Sequence, residues 1–335
     1  MSRLRDLLAT ARVANLPSVA ANVMLGFMLG AWHWGFDPAA MDPRPLILLI
    51  GSGICLYLAG TFANDWSDLA WDRDHRPERA LPAGRFRPAT YAGAATAFSI
   101  AGLLLASLAS AAALTVATVL LLLVATYTWL HKRTAWAVLP MGLCRACLYL
   151  LGFLHLQSLS IDIRIDSLTG ALAPGPGGID PIFYDRLRSA AFIATHALGL
   201  FAWTAGISLN ARCESSGSPS TALRWLSGAL LLVPLAAMSS WWVPFYPAAG
   251  VIAIAPLAAW TALSLTALAR PVTRRISALL AGIPLVDLVA AVPLALSLVL
   301  PDDSLASNPW LQATIAAPVA AFLLGLLLQK ASPAT

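Results

Sequence analysis

Charge is scarce in this 335-residue chain: 11% of its residues are Asp, Glu, Lys or Arg, while 59% are hydrophobic. Soluble domains carry about 25% charged and about 45–50% apolar residues, so this balance excludes a soluble enzyme with a peripheral anchor. It also excludes an intrinsically disordered chain, whose composition is the opposite. Cysteine is nearly missing: the four present, Cys55, Cys144, Cys147 and Cys213, do not form the spaced framework of a disulfide scaffold. Cys144 and Cys147 make one CxxC inside an apolar run, with no second CxxC and no His at ligand spacing. Burial as small packing residues is the expectation there. Absent too are a Gly-rich phosphate loop, a Ser/His/Asp arrangement and any repeat at solenoid spacing. The net charge of +5 implies no nucleic-acid partner, because no basic stripe coincides with a nucleic-acid motif. Met1–Leu16 is Arg-rich and lacks a small-residue cleavage site, so no cleavable signal peptide is expected. Leu4, Leu7, Leu8 and Ala11, at helical spacing, predict a short helix along the inner membrane surface.

What the chain has in abundance is long apolar runs. One transmembrane helix takes about 20 apolar residues. Ten runs, near residues 14–34, 45–63, 89–108, 111–130, 136–157, 189–209, 222–242, 246–268, 276–300 and 310–329, are separated by polar or Pro/Gly punctuation. The fold class expected is all-α: a polytopic integral membrane helical bundle of nine to ten transmembrane helices, one membrane-embedded domain over 1–335. The least marked boundary falls between Ala89 and Leu130, where Ala106–Ser110 is the expected turn. With the amino terminus inside, sixteen of the 21 Lys and Arg residues fall on one side and four (Arg44, Arg164, Arg186, Arg188) on the other. Cytoplasmic loops collect positive charge, so ten spans with both termini inside are expected, in a bacterial inner membrane. The connection 158–188, with Pro174-Gly175-Pro176-Gly177-Gly178, reads as a flexible outer linker without chemistry of its own.

The second span ends in Asn64-Asp65-Trp66-Ser67-Asp68-Leu69-Ala70-Trp71-Asp72. On a continuing helix Asp65, Asp68 and Asp72 share one face, with Asn64 beside it. Such carboxylates repel one another unless a cation sits among them, and Mg²⁺ commonly bridges one or two carboxylates to phosphates. A solvated helix end balanced by arginines is the plainer alternative. Asn64 and Asp65 begin while the helix is still apolar, however, where polar groups are expensive and tend to be functional. Pro77, Pro82 and Gly84 then break the helix and return Arg76 and Arg79 beside the acids. Guanidinium forks match phosphate oxygens, so the pattern suits a diphosphate.

On these residues the chain resembles the UbiA superfamily of intramembrane prenyltransferases. The NDxxDxxxD signature is matched in full by Asn64, Asp65, Asp68 and Asp72, and the Arg/Pro segment loosely by Arg76-Pro77, Arg79, Pro82 and Gly84. Arg12 and Asn15 open the first span as in the family, where a basic residue there assists diphosphate binding. Tyr127, Lys132 and Arg133 look like the family's Tyr-x-x-x-Lys-Arg element displaced by one, with His131 at the usual lysine position. The family's second motif, DxxxD at the end of the sixth span, is replaced here by Asn210, Arg212 and Glu214; less negative charge there weakens a second Mg²⁺, while Arg212 can neutralise phosphate instead. The resemblance covers Arg12 to Glu214. It implies Mg²⁺ as cofactor, held by Asn64, Asp65, Asp68, Asp72 and Glu214, and catalytic roles for the three aspartates and Lys132. Arg12, Asn15, Asn64, Arg76, Arg79, Tyr127, Arg133, Asn210 and Arg212 would bind substrate. The implied partners are a prenyl diphosphate, a hydrophobic acceptor and membrane lipids, with no obligate protein partner and the active site facing the cytoplasm.

Two charges remain inside spans. Arg145 and Asp287 are deep enough that an unpaired charge would be expensive; either they pair with each other, or they are polar contacts in an acceptor cavity, with Arg145 binding substrate. His155 and His196 are expected to be satisfied interior histidines. A non-catalytic lipid or isoprenoid carrier that retains the UbiA fold is the competing function, although the matched broken helices of transporters are not visible.

Overall fold

The computed structural model describes residues 3–37, 40–167, 181–215, 221–244, 246–297 and 309–331; the side chains of 160–189, 213–215, 297 and 331 lie outside the description. In chain order the helices are α1 (Arg3–Thr10), α2 (Leu16–Trp34), α3 (Arg44–Ser67) and its continuation α4 (Leu69–His75), α5 (Pro88–Ala109), α6 (Ala111–Leu130) and α7 (Val138–Ser167). There follow α8 (Pro181–Ser215), α9 (Thr221–Ala237), α10 (Ser239–Trp242), α11 (Pro247–Leu265), α12 (Val272–Ala281), α13 (Ile283–Ser297) and α14 (Pro309–Ala331). Ten of the resulting helical segments are long and apolar enough to cross a bilayer, and the protein is an integral multi-pass membrane protein. Bilayer depth offers no water to backbone groups, so each N–H and C=O must pair within its own helix.

Local chemistry sets the ends. Pro17, Pro45, Pro88 and Pro247 sit in the first turns of α2, α3, α5 and α11, where a missing N–H is harmless. Gly35, at φ 68°, closes α2 in the left-handed conformation that favours glycine. Ser110 alone separates α5 from α6, and its hydroxyl accepts from the Ala113 N–H at 3.1 Å, an N-cap.

The seventh and ninth spans are present as expected, each broken into two helices, α9 with α10 and α12 with α13; Pro234 and Pro284 supply no N–H to the turns they occupy. Two expectations need correction. The 158–188 connection is shortened at both ends, because α7 runs on to Ser167 and α8 begins at Pro181. Hydropathy ends a span at the membrane, whereas a helix continues into water without apolar residues. The Pro/Gly run 174–178 lies outside the described residues. Finally, α1 does not simply lie on the lipid surface: Leu7 packs into a cluster of Ala11, Phe62, Leu81 and Tyr91, while Leu4 and Leu8 stay exposed.

The most apolar window of α12–α13 is 83% buried and that of α2 72%, against 11% in α5, so the former make the centre and α5 faces lipid. Ile100, Leu104 and Leu108 form the outward stripe of α5. Cys147 is in the core and Cys144 half-buried, both unbridged. The α2–α7 contact is the tightest point of the centre. A Cβ on Gly26 would lie 2.1 Å from the Tyr149 carbonyl oxygen, and one on Gly152 would lie 2.4 Å from the Phe27 nitrogen. Small residues let helix backbones touch in this way. Gly26→Ala is therefore expected to destabilise the bundle by about 2–3 kcal/mol through overpacking against backbone. Thermal unfolding in detergent reads it, with Gly93→Ala, which meets nothing within 4 Å, as the variant that stays at or above the parent Tm.

Candidate functional site

The acidic motif does not lie on one unbroken helix, because α3 ends at Ser67 and α4 begins at Leu69. Asp68 at the junction keeps the helical bonds, with its N–H on the Asn64 carbonyl at 2.9 Å and its own carbonyl accepting from Asp72 at 2.8 Å. Tyr57, Asn64, Asp68 and Asp72 consequently follow one stripe with a slight bend.

Each of the three aspartates Asp65, Asp68 and Asp72 has a basic partner. Arg12 stands 3.5 Å and Arg79 3.8 Å from Asp65, and Arg79 donates to Asp72 Oδ2 at 2.9 Å. His131 Nε2 reaches the two Asp68 oxygens at 2.9 and 3.0 Å, Lys132 Nζ lies 3.6 Å from Asp68, and Asn64 donates to Asp68 at 3.2 Å. Burial alone would raise the Asp68 carboxyl, but the His131 hydrogen bond and the His131 and Lys132 charges outweigh it and hold its pKa below the ordinary value. Burial acts the other way on Lys132 and lowers its pKa despite the attraction of Asp68 and Asp72.

The sequence delivers these cations from three directions. Arg12 occupies the left-handed region at φ 45°, a strained conformation for a residue with a Cβ, where the chain turns from α1 into α2. The segment carrying Arg79 is pinned below by Leu81 in its apolar cluster and beyond by an Arg85–Asp6 ion pair at 2.7 Å. Thr10 and Tyr91 share a hydrogen bond at 2.8 Å beside them. From the end of α6, the His131 ring is stacked on Tyr127 at 5.2 Å and its Nδ1 bonds the Thr128 carbonyl at 2.9 Å. Lys132 also sits 3.5 Å above the Trp71 ring. On α8, Arg212 donates to the His131 carbonyl, which ties the end of the sixth span to the acids.

Several expected residues lie elsewhere. Arg133 turns onto the Trp129 ring at 4.7 Å, away from the carboxylates. Arg76 is exposed. The Glu214 side chain lies outside the described residues. Arg145 is in the interior, where the expected direct pair with Asp287 is replaced by a relay: Arg145 donates to Ser18 at 3.0 Å and to Asn22 Oδ1 at 3.1 Å. Asn22 donates to both Asp287 oxygens at 2.8 and 3.0 Å, and Tyr149 to Oδ1 at 2.5 Å. One amide offers an acceptor to the guanidinium and donors to the carboxylate, so neither charge needs to touch the other. The Arg145 guanidinium is also 5.7 Å from the centre of the Tyr57 ring, whose hydroxyl accepts from Asn15 at 3.0 Å. His196 is satisfied on both ring nitrogens, by the Phe192 carbonyl and the Trp242 indole N–H, each at 2.9 Å, whereas His155 Nδ1 has no hydrogen bond. His131, Tyr57 and Asn22 were not among the site residues expected from sequence; His131, at the usual lysine position of the Tyr-x-x-x-Lys-Arg element, and Tyr57, seven before Asn64 on the same stripe, carried a signal, and Asn22 carried none.

Asn64 Oδ1, Asp65 Oδ1, Asp72 Oδ1 and Asn210 Oδ1 are buried without a hydrogen bond. Unsatisfied buried oxygens are rare and costly, and hard divalent cations bind all-oxygen sets. The donor set therefore fits Mg²⁺. Among the described residues no three His, Cys, Asp or Glu side chains already close on a metal position, since each aspartate is turned to a basic neighbour. An apolar cleft of ≈ 210 Å³ lies among Pro256, Ala259, Trp260, Leu263, Leu285 and Phe322, lined by other helices than those that carry the acids.

The sequence profile of the UbiA prenyltransferase family matches residues 19–283, and the chain belongs to that family. Among solved structures, the apo form of a UbiA homologue from Aeropyrum pernix K1 has a TM-score of 0.52 at 13% identity, covering 98% of this chain and 100% of that one; the likeness is one of fold. A UbiA homologue from Archaeoglobus fulgidus bound to DMAPP and Mg²⁺ matches at TM-score 0.46 and 14% identity over 97% of this chain and 99% of that one. A structure described for digeranylgeranylglyceryl phosphate synthase matches at 0.49 and 14% over 99% and 97%. Those two are too distant to bear on the ligand of this chain. The curated protein sequences contain no match.

Among the described residues Arg79 alone reaches both Asp65 and Asp72. Arg79→Ala is expected to destabilise the protein by about 1–3 kcal/mol, because Asp72, 1% exposed, loses its hydrogen bond. Millimolar Mg²⁺ should recover part of the lost Tm in that variant and less in the parent, as differential scanning fluorimetry would record.

Proposed function

We propose that the chain is an Mg²⁺-assisted prenyltransferase that moves a prenyl group from a prenyl diphosphate to a hydrophobic acceptor. The observation that carries this reading is the acid–base cluster of Asp65, Asp68 and Asp72, where Asn64, Asp65 and Asp72 each keep a buried oxygen without a hydrogen bond, in a chain of the UbiA prenyltransferase family. Asn64, Asp65, Asp68 and Asp72 would hold the cation. When bound, it neutralises diphosphate charge and makes a better leaving group. Arg12, Arg79 and Lys132 exchange their carboxylate partners for phosphate oxygens and hold the charge that develops on the departing oxygen. His131 keeps Asp68 oriented while Lys132 moves. The allylic C–O bond breaks with its electron pair going to pyrophosphate, the acceptor's nucleophilic atom bonds the allylic carbon, and the proton it loses passes to pyrophosphate. The apolar bundle keeps water from the carbocation. The excess of Lys and Arg on the acid side supports a cytoplasmic active site, and Arg145, near the Tyr57 ring whose hydroxyl accepts from Asn15, supports an acceptor position deeper than the diphosphate.

Asp65→Ala and Asp68→Ala, assayed in membranes with labelled prenyl diphosphate, are expected to lower pyrophosphate release by about a hundredfold or more. Unchanged turnover in both would overturn the assignment. Binding of the diphosphate by the parent without release, across a panel of acceptors, would favour a carrier that retains the fold.

A further inference from the structure

At the acid end of the bundle Arg12, Arg79, Arg85 and Lys132 each have a carboxylate. Three other cations at this end have none. Arg270, just before α12, Arg274, in its first turn, and Lys330, at the end of α14, are exposed and form no hydrogen bond or ion pair among the described residues. No Asp or Glu occurs in the sequence from 257 to 284 or from 309 to 335, so these helices carry nothing to offset them here. The three stand together. The Gln329 amide donates to the Ser277 carbonyl at 2.9 Å, which sets Lys330 beside the first turns of α12. Both α12 and α14 also pack on the Val13–Asn15 turn that follows Arg12, which fixes their place at the acid end.

Deeper along the same helices lies the apolar cleft of ≈ 210 Å³, and Trp260 of α11 builds it. Its indole N–H donates to the Ala278 carbonyl of α12 at 2.8 Å, and its ring meets Phe322 of α14 edge-on at 4.9 Å. With its one donor satisfied, Trp260 offers the cleft only carbon. Pro256, Ala259 and Leu263 line the cleft and are exposed, so it opens sideways to the bilayer. At the rise of an α-helix, Ala278 lies about 6 Å along α12 from Arg274, and Phe322 about 12 Å along α14 from Lys330. The hydrocarbon of one leaflet is about 15 Å deep, half the apolar core of a bilayer. The cleft therefore sits at the level of acyl chains and the cations at that of headgroups.

We propose that this end of α11, α12 and α14 binds one anionic phospholipid, with an acyl chain in the Trp260 cleft and the phosphate among Arg270, Arg274 and Lys330. Charge complementarity selects the occupant. A zwitterionic lipid brings its own cation to three that are already uncompensated, whereas an anionic headgroup meets them with net negative charge, and guanidinium forks match its phosphate oxygens. A soluble anion would leave the cleft unfilled. The site shares no residue with the acid cluster and stands whether or not the chain transfers prenyl groups.

Brominated acyl chains quench tryptophan on contact, so Trp260 reports the occupant directly. The full chain in detergent micelles is titrated with brominated phosphatidylglycerol or brominated phosphatidylcholine, and the Trp260 share is the difference between the parent and Trp260→Phe. Phosphatidylglycerol should half-quench Trp260 at a mole fraction at least about tenfold lower, since each basic residue near an anionic headgroup contributes about fivefold. The triple variant Arg270→Gln, Arg274→Gln, Lys330→Gln should bring the two lipids to the same midpoint. Equal midpoints in the parent, or a preference unchanged in the triple variant, would overturn the proposal. So would the absence of Trp260 quenching by either lipid, as when a second copy of the chain covers the cleft. Relief of the quenching by geranylgeranyl diphosphate with Mg²⁺ would give the cleft to a prenyl tail and overturn it as well. If Trp260→Phe fails to fold, native mass spectrometry decides: the parent should retain one phosphatidylglycerol that the triple variant loses, and equal retention by both would contradict the assignment.

Discussion

A carboxylate taken out of water at the edge of a bilayer costs several kcal/mol unless its charge is met, and three of them stand within eight residues at the end of α3. Much of the architecture at this end exists to meet that charge. Arg12 is forced into a left-handed turn to reach Asp65. The Arg76–Arg87 segment is stapled by Leu81 to an apolar cluster and by Arg85 to Asp6 on α1, which places Arg79 between two acids. His131 and Lys132 arrive from α6, and Arg212 from α8 fixes the His131 backbone. Remove the carboxylates and the convergence of α1, α3, α6 and α8 loses its electrostatic reason.

The same arrangement makes the site ready for an anion. Its basic side chains are already gathered around buried oxygens that are incompletely satisfied. On the proposed function, a diphosphate with a divalent cation would need only to exchange partners within this cluster, and preorganised charge of that kind is the main source of catalytic stabilisation in shielded sites. Deeper in the bundle the polar relay through Asn22 solves the same problem without salt-bridge contact. It joins α13 to α2 and α7, the two helices brought closest by Gly26 and Gly152.

Hydropathy and charge placement made the spans legible, because lipid imposes one simple rule over some twenty residues at a time. The acidic stripe was legible for a related reason: its spacing is local, and a helix turns spacing into a shared face. Partners far apart in the chain were not. Asn22 meets Asp287 across 265 positions, and nothing near either residue announces the other. Asp6 gave no hint that it would anchor Arg85, since a lone acid in an Arg-rich amino terminus has many equivalent partners until the helices pack. Arg133 shows the converse: a basic residue with the right neighbours in sequence turns onto Trp129, because a helix end spreads successive side chains around its axis.

The central claim is that the carboxylates and cations at the end of α3 form a diphosphate site completed by a divalent cation. Calorimetric titration of geranyl diphosphate into the protein in nanodiscs, with and without Mg²⁺, tests it most directly. The account predicts binding tightened by at least about tenfold, or about 1.4 kcal/mol, when Mg²⁺ is present. Equal affinity in the two conditions would contradict it.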